Sequence, residues 1–156
     1  MKRKTIVIAV ASIIVVVVAV LGIINLPYIT GSPSISIQEW NSDVYFVNRG
    51  VHIVSGKEDF LFVLEPQIMI ENKGNGPATD VKVYCNITGG PIDGDKKKVI
   101  DVGKIEPNSR QTVKAQYYTD WIEIPFPTYT ITMMVSYQGY NPEENNIITV
   151  YLTPKL

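Results

Sequence analysis

Val81-Lys82-Val83-Tyr84-Cys85-Asn86-Ile87-Thr88 carries its small and branched apolar residues at every second position. Successive side chains of a strand point to opposite faces, so the pattern predicts a strand that buries Val81, Val83, Cys85 and Ile87. The same period returns near the end of the chain. Tyr129, Ile131, Met133, Val135 and Tyr137 alternate there with Thr128, Thr130, Thr132 and Ser136. Between these runs, Val113, Ala115 and Tyr117 alternate with Thr112, Lys114 and Gln116, and Ile148, Val150 and Leu152 finish the chain. On the N-terminal side, Ser34–Ile37 opens the domain. Val44–Val47 and Val51–Val54 flank Asn48-Arg49-Gly50, which reads as a hairpin-like turn. Phe60–Leu64 and Gln67–Glu71 form one stretch interrupted by Pro66. Proline has no N–H for a ladder, so an edge or a bulge is expected there.

With the short run Val99–Val102, this makes about eight strands separated by Gly, Pro, Asn and Asp, and no helical period of useful length. The expected fold is all-β, an immunoglobulin-like antiparallel β-sandwich over residues 34–156. The whole chain of 156 residues has one cysteine, which excludes a disulfide scaffold, and a net charge of −1, which argues against a nucleic-acid binder.

The charges are unevenly placed. Lys2, Arg3 and Lys4 are followed by no charged residue until Glu39. Thr5 to Ile24 reads TIVIAVASIIVVVVAVLGII, and as a helix rising ~1.5 Å per residue it would be ~30 Å long, the thickness of a bilayer's hydrocarbon core. Val and Ile favour strand in water, but in lipid the backbone must satisfy its own hydrogen bonds, so helix wins. A single N-terminal transmembrane helix over 5–27 is therefore expected, ending at Asn25-Leu26-Pro27, with a linker over 28–33. The basic tail, residues 1–4, sets the N-terminus in the cytoplasm and the C-terminal domain outside. The apolar run exceeds that of a cleaved signal peptide and no small-x-small site follows it, so the helix is read as an uncleaved anchor. The remaining chain holds 11 Lys and Arg against 15 Asp and Glu, a net of −4.

Ile70-Glu-Asn-Lys-Gly-Asn-Gly-Pro-Ala-Thr-Asp-Val-Lys-Val83 resembles the "N-x-G…A-x-x-V-x-V" turn of CARDB-type immunoglobulin-like domains. Val102-Gly-Lys-Ile-Glu-Pro-Asn-Ser-Arg-Gln-Thr-Val113 is similar to the loop and strand that follow in that family, and Asn141-Pro-Glu-Glu-Asn-Asn146 to its ending. The resemblance covers about residues 60–153 and implies a prokaryotic, notably archaeal, surface protein that binds or scaffolds. WHy-type domains of desiccation-related proteins share a close cadence. The β-sandwich stator subunits of the archaellum share anchor plus sandwich.

The individual motifs point mostly to structure. Asn72-Lys73-Gly74-Asn75-Gly76-Pro77 offers residues that tolerate positive φ, as a tight connection needs, and Glu106-Pro107-Asn108-Ser109 is a second turn, with Ile105 before it as a core plug. Gly74-x-Gly76-x-x-Thr79 is not a phosphate loop, because a strand follows instead of a helix N-terminus. Asp93-Gly94-Asp95 lacks calcium-loop spacing and runs into Lys96-Lys97-Lys98, so a solvated hairpin is expected. Cys85 reads as a small core residue. His52 is the sole histidine and builds neither a zinc cluster nor a triad. The acid pairs Glu58-Asp59 and Glu143-Glu144 sit in turn contexts. No cofactor or metal is expected.

Two features point outward. Asn86-Ile87-Thr88 is an N-glycosylation acceptor sequence, with Asn86 on the face opposite Cys85. Trp121-Ile-Glu-Ile-Pro-Phe-Pro127 is an apolar loop between strands. Trp121, Ile122, Ile124 and Phe126 either form a partner-binding patch or fold back to cap the open end of the sandwich. Tyr129 sits where immunoglobulin folds place the tyrosine corner. The expected function is a non-catalytic, membrane-anchored interaction or scaffolding module whose partner is an envelope protein or a wall or S-layer component. The alternative is an accessory single-pass subunit of a larger membrane complex, with Ala9, Ala11, Ser12, Ala19 and Gly22 as helix-contact residues.

Overall fold

The computed structural model describes residues 31–51, 56–139 and 146–156. The expected membrane helix over 5–27, His52 and Glu143-Glu144 lie outside these residues. Among the described residues no helix is long and apolar enough to cross a membrane.

The described chain is all-β. Its strands are β1 (Ile35–Val51), β2 (Glu58–Asn72), β3 (Ala78–Thr88), β4 (Ile92–Asp93), β5 (Lys97–Ile105), β6 (Arg110–Lys114), β7 (Tyr117–Thr119), β8 (Ile122–Glu123), β9 (Tyr129–Ser136) and β10 (Ile147–Leu152). They form two antiparallel sheets. In the first, β1 pairs with one side of β2, and β6, β7 and β8 follow one another along its other side, with β4 beyond β7. The second has the order β10-β9-β3-β5. Leu64, Ile68 and Ile70 of the first sheet share one core with Val81, Val83, Cys85, Ile87, Ile131, Met133 and Val135 of the second. The two sheets thus make a β-sandwich.

The alternation of β3 and β9 is realised residue for residue: Val81, Val83, Cys85 and Ile87 are buried, as are Tyr129, Ile131, Met133 and Val135. Register turns these residues into rows across the sheet, Cys85 opposite Met133 and Met133 opposite Ile148. Val113, Ala115, Tyr117 and the plug Ile105 are also buried.

Two expectations are corrected. Asn48-Arg49-Gly50 is not a turn. β1 runs straight through it beside β2, with a bulge between Phe46 and Asn48. The extra residue of the bulge is Val47, and Asn48, Arg49 and Gly50 each pair with β2. Arg49 is held to β2 by an ion pair with Glu58 and lies over the Phe60 ring. Pro66 is in a central strand, not at an edge. Its carbonyl accepts from the Ala115 N–H at 3.0 Å, but its nitrogen cannot return the bond, and the ladder is interrupted there, between β6 and β7, with its register unchanged. Asp93-Gly94-Asp95 is exposed, as expected, and Lys98 lies beyond it. Lys98 stands opposite Cys85 at the start of β5, its amine donates to the Gln116 carbonyl and sits 4.8 Å from the centre of the Tyr117 ring. It therefore straps the two sheets together along one side.

The motif turns meet at Asn72, whose side chain is fully buried. Its Nδ2 donates to the carbonyls of Gly76 (2.8 Å) and Ile105 (3.0 Å), and its Oδ1 accepts from the N–H groups of Ser34 and Gly74 (both 3.0 Å). One amide joins the start of β1, the 73–77 turn and the end of β5. Here too the reading changes. Gly74 and Gly76 are needed for close approach, not positive φ: a Cβ would come within 2.2 Å of the Ser32 carbonyl oxygen and 2.0 Å of that of Gly31. Positive φ falls instead on Asp80 (52°) and Asn108 (57°).

Candidate functional site

The loop after β7 divides its side chains between inside and outside. Ile122 is buried in β8 opposite Phe60. Phe126 stands edge-on to Phe60 and Phe62, each at 5.2 Å between ring centres. Phe46 of β1 completes this set at 6.2 and 5.8 Å from the same two rings. A second, smaller aromatic core therefore sits beside the main one, and the loop covers it. Ile122 and Phe126 thus belong to a cap and not to an exposed patch. Trp121 and Ile124 remain 43% and 60% exposed.

Trp121 is not isolated. Register places Tyr45 of β1 opposite Val63 of β2, and Val63 opposite Tyr118 of β7. Tyr117, next to Tyr118, points into the core, so Tyr118 faces away from it, as Tyr45 does. At ~4.8 Å between strands, the two tyrosines stand about 10 Å apart on the outer face of the first sheet. The Trp121 ring lies against Gly50, where a Cβ would come within 3.0 Å of it. Gly50 is the residue that leaves room for it. Tyr45, Tyr118 and Trp121, each about half exposed, thus mark one face. The neighbouring Asp43, Glu65 and Asp93 bring negative charge to it, whereas Glu123 is paired with Lys57 at 2.6 Å. Burial, then the Asp43 carboxylate, raise the Tyr45 hydroxyl above its usual pKa. Tyr45 and Tyr118 were not among the sequence candidates. They are 73 residues apart and only strand pairing unites them.

The other candidates fall elsewhere. Asn86 is half-buried in the middle of β3, between Lys97 and Thr132, on the outer face of the second sheet. Asp93, Gly94 and Asp95 are exposed at the β4 turn, and among the described residues no three His, Cys, Asp or Glu side chains gather around one point. Cys85 is buried, and burial pushes its thiol up to about 11, opposed in part by Lys98. Beside it the Tyr117 hydroxyl is buried with no hydrogen-bond partner among the described residues, and burial raises its pKa strongly. Tyr129 does not form a tyrosine corner. Its hydroxyl donates to the Pro91 carbonyl at 3.1 Å, 38 residues upstream, rather than to the adjacent backbone, and its ring fills the space over Gly90. It ties the β3–β5 connection to β9.

The chain matches no family model and no curated protein. Among solved structures it is similar to Northeast Structural Genomics Consortium target SoR45, at 17% identity over 76% of this chain and 87% of that one, with a TM-score of 0.40. It is also similar to ycdA from Bacillus subtilis subsp. subtilis str. 168, at 12% identity over 78% of this chain and 38% of that one, with a TM-score of 0.31.

Proposed function

We propose that this chain is a non-catalytic interaction module of the cell envelope, held by one N-terminal membrane helix with its sandwich outside the cytoplasm. The observation that carries the proposal is the trio Tyr45, Tyr118 and Trp121 on the outer face of the first sheet. Tyr and Trp are the residue types that dominate binding energy where proteins meet, because they bring large contact area with few rotatable bonds. The uncharged run from Thr5 to Ile24 behind three basic residues supports the anchor and its orientation.

The domain is read as immunoglobulin-like of the CARDB type. Support comes from the two antiparallel sheets that share one core and from Asn72, which knits together the two turns that carry the resemblance. A glycan on Asn86 would shield the outer face of the second sheet and leave that of the first to a partner. Protease treatment of intact cells tests the topology. Digestion of the sandwich from outside is expected, and full protection of residues 33–156 would overturn the orientation.

A further inference from the structure

Among the described residues β1 has a neighbour on one side only. Its ladder to β2 is complete, and no backbone hydrogen bond leaves its other side among the described residues. Bulges after Ile37 and after Phe46 bracket Glu39–Phe46, eight residues in unbroken register. In an antiparallel strand every second residue directs both its N–H and C=O away from the existing partner, so about four residues of this segment offer open pairs. The segment holds neither Pro nor Lys, the usual guards of an edge.

Its two faces differ. Trp40 and Phe46 stand on the core side, opposite Ile68 and Phe62, yet are 52% and 50% exposed, because none of the described residues covers them at the edge. A surface depression lined mostly by outer-face residues, among them Glu39, Asn41 and Met69, opens on the other side of the same edge and reaches Trp40. On the outer side Glu39 and Asp43 follow the same period, and Asp43 lies directly opposite Glu65. Among the described residues no Lys or Arg forms an ion pair with any of the three.

We propose that this edge receives an extended segment of a partner protein, added as a further strand, with Lys or Arg at alternate positions and apolar residues between them. The inference rests on the interaction-module reading and names the partner's chemistry. Main-chain pairs would supply affinity. Basic side chains would meet Glu39, Asp43 and Glu65, and apolar ones would cover Trp40 and Phe46. The charges disfavour a second copy as occupant in two of its registers. A two-fold antiparallel pair about Asn41 sets Glu39 against Asp43 twice, and one about Asp43 sets that carboxylate against itself. Like charges directly opposite destabilise a sheet.

The test uses the full chain in detergent and a capped peptide of about nine residues, alternating Lys and Val, which at ~3.4 Å per residue spans the edge. Titration is followed by fluorescence and by amide hydrogen exchange. Expected are saturable binding, slowed exchange confined to residues 39–46, and at least tenfold weaker binding for Asp43→Lys and for the peptide N-methylated at alternate residues. The N-methylated peptide leaves the protein intact, so its result stands even if the variant folds poorly. Equal binding of the N-methylated peptide would overturn strand addition in favour of plain charge attraction. Protection of residues 39–46 in the protein alone, with a dimer in sedimentation, would show a second copy on the edge and overturn the proposal. Absence of binding would also overturn it. The interaction-module reading would survive that result if the Tyr118 face still crosslinked a partner in cells.

Discussion

Replacing Asn72 by Ala removes four hydrogen bonds at one stroke. The Gly76 and Ile105 carbonyls lose their donors in the interior, while the Ser34 and Gly74 N–H groups, only partly buried, recover water. At about 1–3 kcal/mol for each of the two buried orphans and about 0.5 kcal/mol for each of the two groups that water can rescue, the expected loss is ~3–7 kcal/mol. That is a large share of the ~5–15 kcal/mol by which domains are stable. Urea unfolding of the full chain in detergent, followed by tryptophan fluorescence, reads the loss as a drop in midpoint at unchanged slope. Asn72→Asp sharpens the test. It keeps both acceptor bonds but sets a carboxylate against two carbonyl oxygens, so its folded pKa rises above the unfolded value near ~4. Its deficit should therefore be small below about pH 4 and grow as pH rises towards neutrality. A loss under about 1 kcal/mol for Asn72→Ala, or no pH dependence for Asn72→Asp, would refute the role of this amide as the junction of three segments.

Gly76→Ala should cost more than Gly94→Ala. The first forces a Cβ to within 2.0 Å of a backbone oxygen, whereas the second meets open space and pays only about 1–2 kcal/mol for its positive φ; thermal melts of the pair check the order. Phe126→Ala should lower stability by about 2–3 kcal/mol through two lost edge-on contacts and uncovered aromatic surface, while Ile124→Ala should stay within about 0.5 kcal/mol. Equal effects would show that the loop is not a cap. Cys85 should resist a maleimide at pH 8 in the folded protein and react once urea unfolds it. Its thiol is held up to about 11 in the fold against 9.0 ordinarily, so its contribution to stability is complete below about pH 9 and lost as pH rises towards 11. Cys85→Ala should flatten that part of the pH–stability curve.

Burial along β3 and β9 was legible because period two is a property of each strand alone: any pairing partner buries the same face. The errors came where one residue type serves several geometries. Asn48 and Gly50 suit a turn, a bulge or, as found for Gly50, a seat for the Trp121 ring. Gly74 and Gly76 suit positive φ or close approach, and only the position of residues 31–34 decides between them. Pro66 sits in a central strand at the cost of one ladder bond, opposite Ala115 some fifty residues on, and which strands flank it no local reading could find. The aromatic face escaped for a related reason. Trp121 stood out in an apolar loop, but Tyr45 and Tyr118 look like ordinary strand tyrosines until register sets them on either side of Val63. The loop itself resolved as the sequence allowed, with Ile122 and Phe126 inward and Trp121 and Ile124 outward.

The most direct measurement is photocrosslinking in the native membrane, with a photoreactive residue placed in turn at Tyr118 and at Thr149, which is exposed on β10 of the other sheet. A discrete adduct from position 118, reduced when Trp121 is changed to Ala in a protein with an unchanged melting curve, is the predicted result. Equal adducts from both positions, or none from 118, would contradict a partner-binding role for the outer face of the first sheet.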